Sequence, residues 1–373
     1  MIVTPTPRTI VLRLTLYPSS DIRHAAHAEG GLRMTVPDGR PTLEDVAARA
    51  GVSRATVSRV INESPRVSPE ARELVLAAVR DLGYVPNRAA RTLVTRRTGA
   101  VALVLSEPEN KFFDDPFFAA TVRTVSQHLS AEDMQMVLLL VHRPDDHERI
   151  AGYLAGGHVD GALVLAPHRD DPLPAAVRDL PLPVVFGGRL FIPHDDLHSV
   201  DHDNTGGGRL ATEHLLAQGR GNLVTVAGPP DEFAGLERLN GFAQATGYSE
   251  QEVRRRSEIG GFTEQGGEQA MTALLERVPD LDAVFAANDL MARGALRALR
   301  RAGRRVPEDV ALIGFDDQPA IAPHTDPPLT TIRQDPALRT VHMVALLRRL
   351  IEGEPVTPGR EVLPVEVVRR ESS

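Results

Sequence analysis

Arg54, Ala55, Ser58 and Arg59 fall on one face of a short helical repeat whose opposite face carries Val57, Val60 and Ile61. Guanidinium and hydroxyl donors on a narrow apolar base suit the base edges and phosphates of a nucleic-acid groove. Ser53 stands where it caps this helix, which is expected to run to about Asn62. Upstream, Thr42 and Asp45 spell a Thr-x-x-Asp capping box, and Leu43, Val46, Ala47 and Ala50 give a first helix one apolar face. Gly51 ends that helix and permits a sharp turn. Two short helices joined in this way read as a helix-turn-helix whose second member is the recognition helix, although a purely structural hairpin has the same pattern.

The flanks favour DNA. Val67-Ser68-Pro69-Glu70 opens a third helix, with Ser68 as its cap and Pro69 in its first turn, closing near Leu82 before Gly83. Residues 41–97 hold ten Arg against six acidic residues, a local charge of +4 in a chain of net charge −8. The acidic remainder repels phosphate, so contact with DNA is expected in this segment alone. Residues 86–93, with Asn87 as a plausible cap, spell two helical turns that need a partner to be stable, and Thr95-Arg96-Arg97-Thr98-Gly99 follow. On the residues alone an ordinary linker fits that stretch as well.

Catalytic chemistry finds no foothold. There is no Gly-x-Ser-x-Gly elbow, no His-Glu-x-x-His and no Gly-x-x-x-x-Gly-Lys, and Gly206-Gly207-Gly208 lacks the Rossmann spacing. The chain has no Cys, which excludes disulfides and thiolate metal sites, and its single Lys is Lys111. Neither an enzyme, a cofactor nor a metal site is expected. The apolar runs are too short to cross a bilayer, and the stretch 9–17 is broken by Arg13 with no cleavage site behind it. A cytoplasmic, nucleoid-associated protein is expected. Residues 1–40 lack headpiece patterning and read as a disordered extension or a misassigned start, Met34 being the alternative first residue.

Beyond Gly99, apolar runs at 101–105, 136–141, 162–166, 184–186, 223–227, 283–286 and 310–313 read as buried parallel strands. Amphipathic helices are expected at 118–129, 207–218, 263–278, 290–302 and 336–352, so the fold class is doubly wound α/β. In such folds ligands sit at the carboxyl ends of strands. Asn288 and Asp316 follow strand ends, as do His168 and Arg189, and Phe112, Phe113, Phe117 and Phe118 cluster around Asp114-Asp115-Pro116 after the first strand. Each has a plainer reading: Asn288 as a helix cap, Asp316 as a turn, His168 as a solvated side chain, the phenylalanines as packing.

From Thr42 to about Leu93 the chain closely resembles the lactose-repressor (LacI/GalR) family of transcription factors, through DVAARAGVSRATVSRVIN and VSPEARELVLAAVRDLGYVPNRAARTL. The resemblance implies that Arg54, Ala55 and Arg59 read bases, that Thr42, Ser53, Thr56, Ser58 and Asn62 contact phosphate or cap helices, and that 86–98 form a hinge helix and linker. In that hinge Asn87, Arg88 and Ala90 touch DNA and Leu93 wedges into the minor groove. It further implies a periplasmic-binding-protein-like sensor over 99–373 behind a headpiece at 41–85. One sensor subdomain would combine about 99–202 with 335–354 and the other about 204–332 with 358–370, joined by crossovers near 201–204, 332–335 and 355–360.

The same resemblance makes Arg238 in ERLNGF, Phe262, Asn288 and Asp316 effector contacts, joined by Asp115, Phe117 and, more weakly, His168 and Arg189. Gly187-Gly188-Arg189 replaces an acidic contact common in the family, and Thr340 and Met343 stand where relatives carry small residues, which is expected to alter packing against a dimer partner. The implied protein is a homodimeric repressor of a palindromic operator, tuned by a small sugar-like effector, with induction the favoured sign. The competing class is a sugar- or solute-binding transport component with no DNA-binding role.

Overall fold

The computed structural model describes residues 41–61, 64, 66–85, 97–107, 109–141, 143, 145–192 and 196–373. Residues 1–40, Asn62, and the expected hinge helix with Asn87, Arg88, Ala90 and Leu93 lie outside the described residues. The chain divides into two units, within 1–86 and 87–373.

In the first unit Leu43–Ala50 (α1), Arg54–Ile61 (α2) and Pro69–Leu82 (α3) form the headpiece. The Asp45 amide donates to Thr42 Oγ1 at 3.3 Å while the Thr42 amide donates to the Asp45 carboxylate at 2.8 Å, a reciprocal box that starts α1. Gly51 and Gly83 end α1 and α3 at φ 65° and 61°, a left-handed region that a Cβ penalises. Val46, Val57, Val60, Val75 and Ala78 meet in one small core. Burying each valine contributes on the order of 1.5–3 kcal/mol, enough to hold three short helices that would not survive separately.

The second unit holds two sheets. β1 (Ala100–Leu105), β2 (Gln135–Leu140), β3 (Gly161–Leu165), β4 (Val184–Gly187), β5 (His198–His202) and, from the far end of the chain, β11 (Gly359–Leu363) form a parallel sheet ordered β11-β5-β4-β3-β1-β2. β6 (Leu223–Ala227), β7 (Ser257–Ile259), β8 (Ala283–Ala286), β9 (Ala311–Asp316), β10 (Thr330–Arg333) and β12 (Glu366–Val368) form the other, ordered β12-β10-β9-β8-β6-β7 with β12 antiparallel at the edge. Strand alternation builds the layers: Val101, Leu103 and Leu105 pack with residues of helices Pro116–Ala131 and Pro336–Ile351, while Ala102 and Val104 pack with those of Asp146–Ala155 and Leu173–Arg178.

Two expectations are corrected. The stretch 358–370 does not belong wholly to the second lobe: β11 pairs with β5 from Gly359 opposite His198 to Leu363 opposite His202, and β12 alone joins the second sheet. The third crossing therefore falls at Pro364-Val365. β11 is an edge strand with a single buried residue, Leu363, so no apolar run announces it. Thr340 and Met343 are buried inside the first lobe, at 1% and 2% exposure, and so do not face a partner subunit.

Among the described residues no helix is long and apolar enough to cross a membrane.

Candidate functional site

The recognition-helix residues divide as their periodicity requires. Val57 and Val60 are buried, whereas Ser53, Arg54, Ala55 and Arg59 are exposed and Thr56 and Ser58 half-buried. Ser53 accepts from the Thr56 amide at 3.1 Å and its hydroxyl lies 2.9 Å from that of Thr56, so Ser53 caps α2 and orients its first turn. Thr42 likewise caps α1. Arg54 Nε rests 2.9 Å from Glu44, a solvent-exposed pair that holds the guanidinium loosely enough to be exchanged for an anionic partner.

A cleft lies between the two sheets of the second unit, at the carboxyl ends of β1, β3, β4, β6, β8 and β9, and holds about 640 Å³ of space with the open solvent at its mouth included. From the second lobe come Arg238, Phe262, Asn288 and Asp316. Arg238 is buried, donating from Nε to Asn204 at 2.9 Å and from Nη1 to the Ala287 carbonyl at 2.6 Å and to Asp316 at 3.3 Å, with its guanidinium 3.7 Å from the centre of the Phe315 ring. Burial pushes Asp316 up to about 6 despite Arg238, and Gln334 donates to its carboxylate at 2.6 Å. Asn288 caps helix Asp289–Arg301 through the Met291 amide at 2.8 Å, and its amide nitrogen donates to the Phe262 carbonyl at 3.3 Å. Capping and lining the cleft are therefore one position, not alternatives. Ala166, Phe262 and Asp316 hold φ of 52°, 57° and 106° around this cleft, left-handed backbone that costs energy.

The first lobe supplies Asp115 and Phe117. Asp115 caps helix Pro116–Ala131 through the Phe117 amide at 2.9 Å and accepts from Gln318 of the second lobe at 3.1 Å; burial raises its carboxyl. Sequence reasoning missed Glu107, Lys111 and Glu232. Lys111 Nζ bridges the lobes, 2.7 Å from Glu107 and 2.8 Å from Glu232; burial lowers its affinity for the proton, but the two carboxylates outweigh burial and the net shift is upward. Glu107 follows β1, Lys111 lies in the short helix Glu109–Asp114 and Glu232 precedes helix Phe233–Thr246, far away in the chain, so no local pattern could join them; the one signal was that Lys111 is the single lysine.

His168 and Arg189 are not among the residues lining the cleft, and each is engaged by nearby carboxylates instead. His168 is tied at the mouth, Nδ1 2.9 Å from Asp231 and Nε2 3.5 Å from Glu107, and the Glu107 and Asp231 carboxylates raise its pKa to about 9. Arg189 donates to Glu237 at 3.0 Å, and Arg360 reaches the same carboxylate at 3.1 Å, a second ionic tie between the lobes.

Residues 42–87 match the family model described as bacterial regulatory proteins, lacI family, and residues 212–373 the periplasmic binding protein-like domain. Over 335 residues, 89% of this chain and 98% of the relative, the sequence is 51% identical to the HTH-type transcriptional regulator CelR of Thermobifida fusca. The chain belongs to the lacI family of bacterial regulatory proteins. It is also 32% identical over 336 residues to the ribose operon repressor of Halalkalibacterium halodurans, covering 89% of this chain and 97% of that one. Among solved structures it is similar to the transcriptional regulator CelR-cellobiose complex, with 48% identity, a TM-score of 0.71, and 90% and 100% of the two chains covered. The lac repressor dimer bound to operator and the anti-inducer ONPF gives 29% identity, a TM-score of 0.78, and 90% and 99% coverage. This lacI-family chain is thus a DNA-binding transcriptional regulator with the expected two-lobed sensor, and its relatives are regulators rather than enzymes or transport components.

Proposed function

We propose that this lacI-family regulator represses transcription as a homodimer on a palindromic operator and is released by a glucose disaccharide of the cellobiose type. It acts in the cytoplasm, on the nucleoid. The observation that carries the effector class is the 48% identity, over its full length, to the CelR-cellobiose complex. The cleft chemistry agrees: a guanidinium, a carboxylate and an amide suit several hydroxyls at once, while the flat faces of Phe262 and Phe117 suit the C–H face of a sugar ring.

On DNA, Arg54 and Arg59 each offer the fork that fits the O6/N7 edge of guanine, and the Ala55 methyl fits that of thymine. Ser53, Thr56 and Ser58 fix the register on phosphate. One headpiece covers half a palindrome, which is the reason to propose a dimer. Asn87, Arg88, Ala90 and Leu93 are proposed as further DNA contacts on the strength of the family resemblance. Effector binding draws the two lobes together and shifts the balance between hinge states; only a ligand with different affinities for the two states can do so. A thermal-shift series with cellobiose, longer β-glucans, ribose and lactose tests the effector class. Cellobiose is expected to raise the melting temperature most, and stabilisation by a compound unrelated to carbohydrate instead of any sugar would refute the reading.

A further inference from the structure

Two arginines are buried among the described residues, Arg238 at 4% and Arg339 at 7% exposure, and their surroundings differ. Arg238 has an acceptor on three sides. Arg339 lies in the first turn of helix Pro336–Ile351, its amide bonded to the Asp335 carbonyl at 3.1 Å, but its guanidinium donates to none of the described residues and forms no ion pair with them; its Nε is buried without a partner. Its one defined contact is the face of Phe117, 5.0 Å from the ring centre. Asp201 acts on Arg339 only at a distance, because its own oxygens are occupied by Arg360 at 2.8 Å, the His202 amide at 2.8 Å and Asn204 at 3.2 Å. His202, also nearby, is kept uncharged by burial first and by Arg339 next.

A buried guanidinium nitrogen with no acceptor is costly, and an apolar residue of similar size would serve packing better. Arg339 nonetheless lines the cleft, near enough to Arg238 and Asp316 of the second lobe to feel their charges. We propose that Arg339 is the first lobe's donor to the effector, bonding ligand oxygens across the cleft from Arg238 and Asp316, and is a specificity-determining residue. This rests on the sugar reading above. The remaining charges favour sugar hydroxyls over an anionic group: Glu107, Asp115, Asp201, Glu232 and Asp316 outnumber Lys111, Arg238 and Arg339 in the lining. A ligand held by both lobes is also one that binds the closed arrangement better than the open one, which gives Arg339 a part in the response as well as in recognition.

The test is calorimetric titration of the full chain with cellobiose and its monodeoxy derivatives, for wild type, Arg339→Leu and Arg339→Lys. Arg339→Leu is expected to keep or raise the melting temperature, since it removes an unpaired buried charge, and to weaken cellobiose binding roughly 10- to 100-fold. Arg339→Lys, which keeps the charge without the fork, is expected to lose less. One deoxy derivative is expected to bind wild type weakly while losing nothing further in the Leu variant, which identifies the hydroxyl that Arg339 meets. Equal cellobiose affinity in wild type and both variants, or a Leu variant that melts well below wild type with every deoxy derivative penalised alike, overturns the proposal and leaves Arg339 a packing residue. If wild type binds none of the sugars, the effector class itself fails and takes this inference with it.

Discussion

Arg54 and Arg238 carry the same functional group in opposite settings, and the contrast decides what each can do. Arg54 is exposed and only loosely paired with Glu44. Arg54→Ala should therefore leave the headpiece folded, cost roughly 1–3 kcal/mol in operator binding, and relax preference at one or two base pairs. Binding measured on a set of single-base operator variants checks this, and an equal loss on every sequence would make Arg54 a phosphate contact instead. Arg238 is held by Asn204, Ala287 and Asp316, so its fork is fixed before any ligand arrives. Arg238→Lys keeps the charge but cannot reproduce that fork. Sugar affinity should fall roughly 10- to 100-fold, the worth of one or two hydrogen bonds, in a calorimetric titration with cellobiose. His168 adds a pH signature, because Glu107 and Asp231 raise its folded value to about 9 while Glu232 and Lys111 face the same cluster. Its stabilising contribution is complete below about pH 6.5, its unfolded value, and drains away as pH rises through about 9. The melting-temperature advantage of wild type over His168→Gln should shrink over that window, and an advantage constant from pH 6 to 10 would contradict the pairing.

Helices Asn204–Ala217 and Phe233–Thr246 cross so closely that a Cβ at Gly208 would overlap the Arg238 carbonyl oxygen, and one at Gly241 the Thr205 carbonyl oxygen. Gly208, the last of the glycine run that lacked Rossmann spacing, is thus a close-packing position against the backbone of Arg238. Gly208→Ala should cost roughly 1–3 kcal/mol of stability in denaturant titration and weaken sugar binding with no change to any polar group. Unaltered stability would mean that the helices part freely. The apolar strands at 101–105, 223–227 and 310–313 were legible because both faces of a central parallel strand are buried. β5, His-Ser-Val-Asp-His, and the edge strand β11 were not, since their polar residues take part in capping, crossing and ion pairs rather than in a hydrophobic layer. The same division holds in the cleft. Asp115, Asn288 and Asp316 stand at element ends that capping and strand signals mark, while Lys111, Glu232 and Arg339 acquire meaning only when distant loops and a late helix converge. Arg189 followed a strand end yet turned to Glu237, because a nearby carboxylate competes with the cleft for any guanidinium.

The chain separates its charges, +4 over residues 41–97 within a total of −8, so attraction to phosphate is localised while the remainder discourages non-specific wrapping. The sensor's lobes are joined by three crossings and by ionic ties that include Glu107-Lys111-Glu232, His168-Asp231 and Arg189-Glu237-Arg360. Recognition and response then meet in one quantity, the operator affinity of the protein with and without sugar. Fluorescence anisotropy on a labelled palindromic operator, titrated with the full chain at fixed salt, measures it directly. Saturating cellobiose should weaken operator binding by roughly 5- to 150-fold, the usual range of coupling between two sites, and leave binding to random duplex nearly unchanged. Operator affinity that is the same with and without the sugar, or no preference for any palindrome over random duplex, would contradict the account.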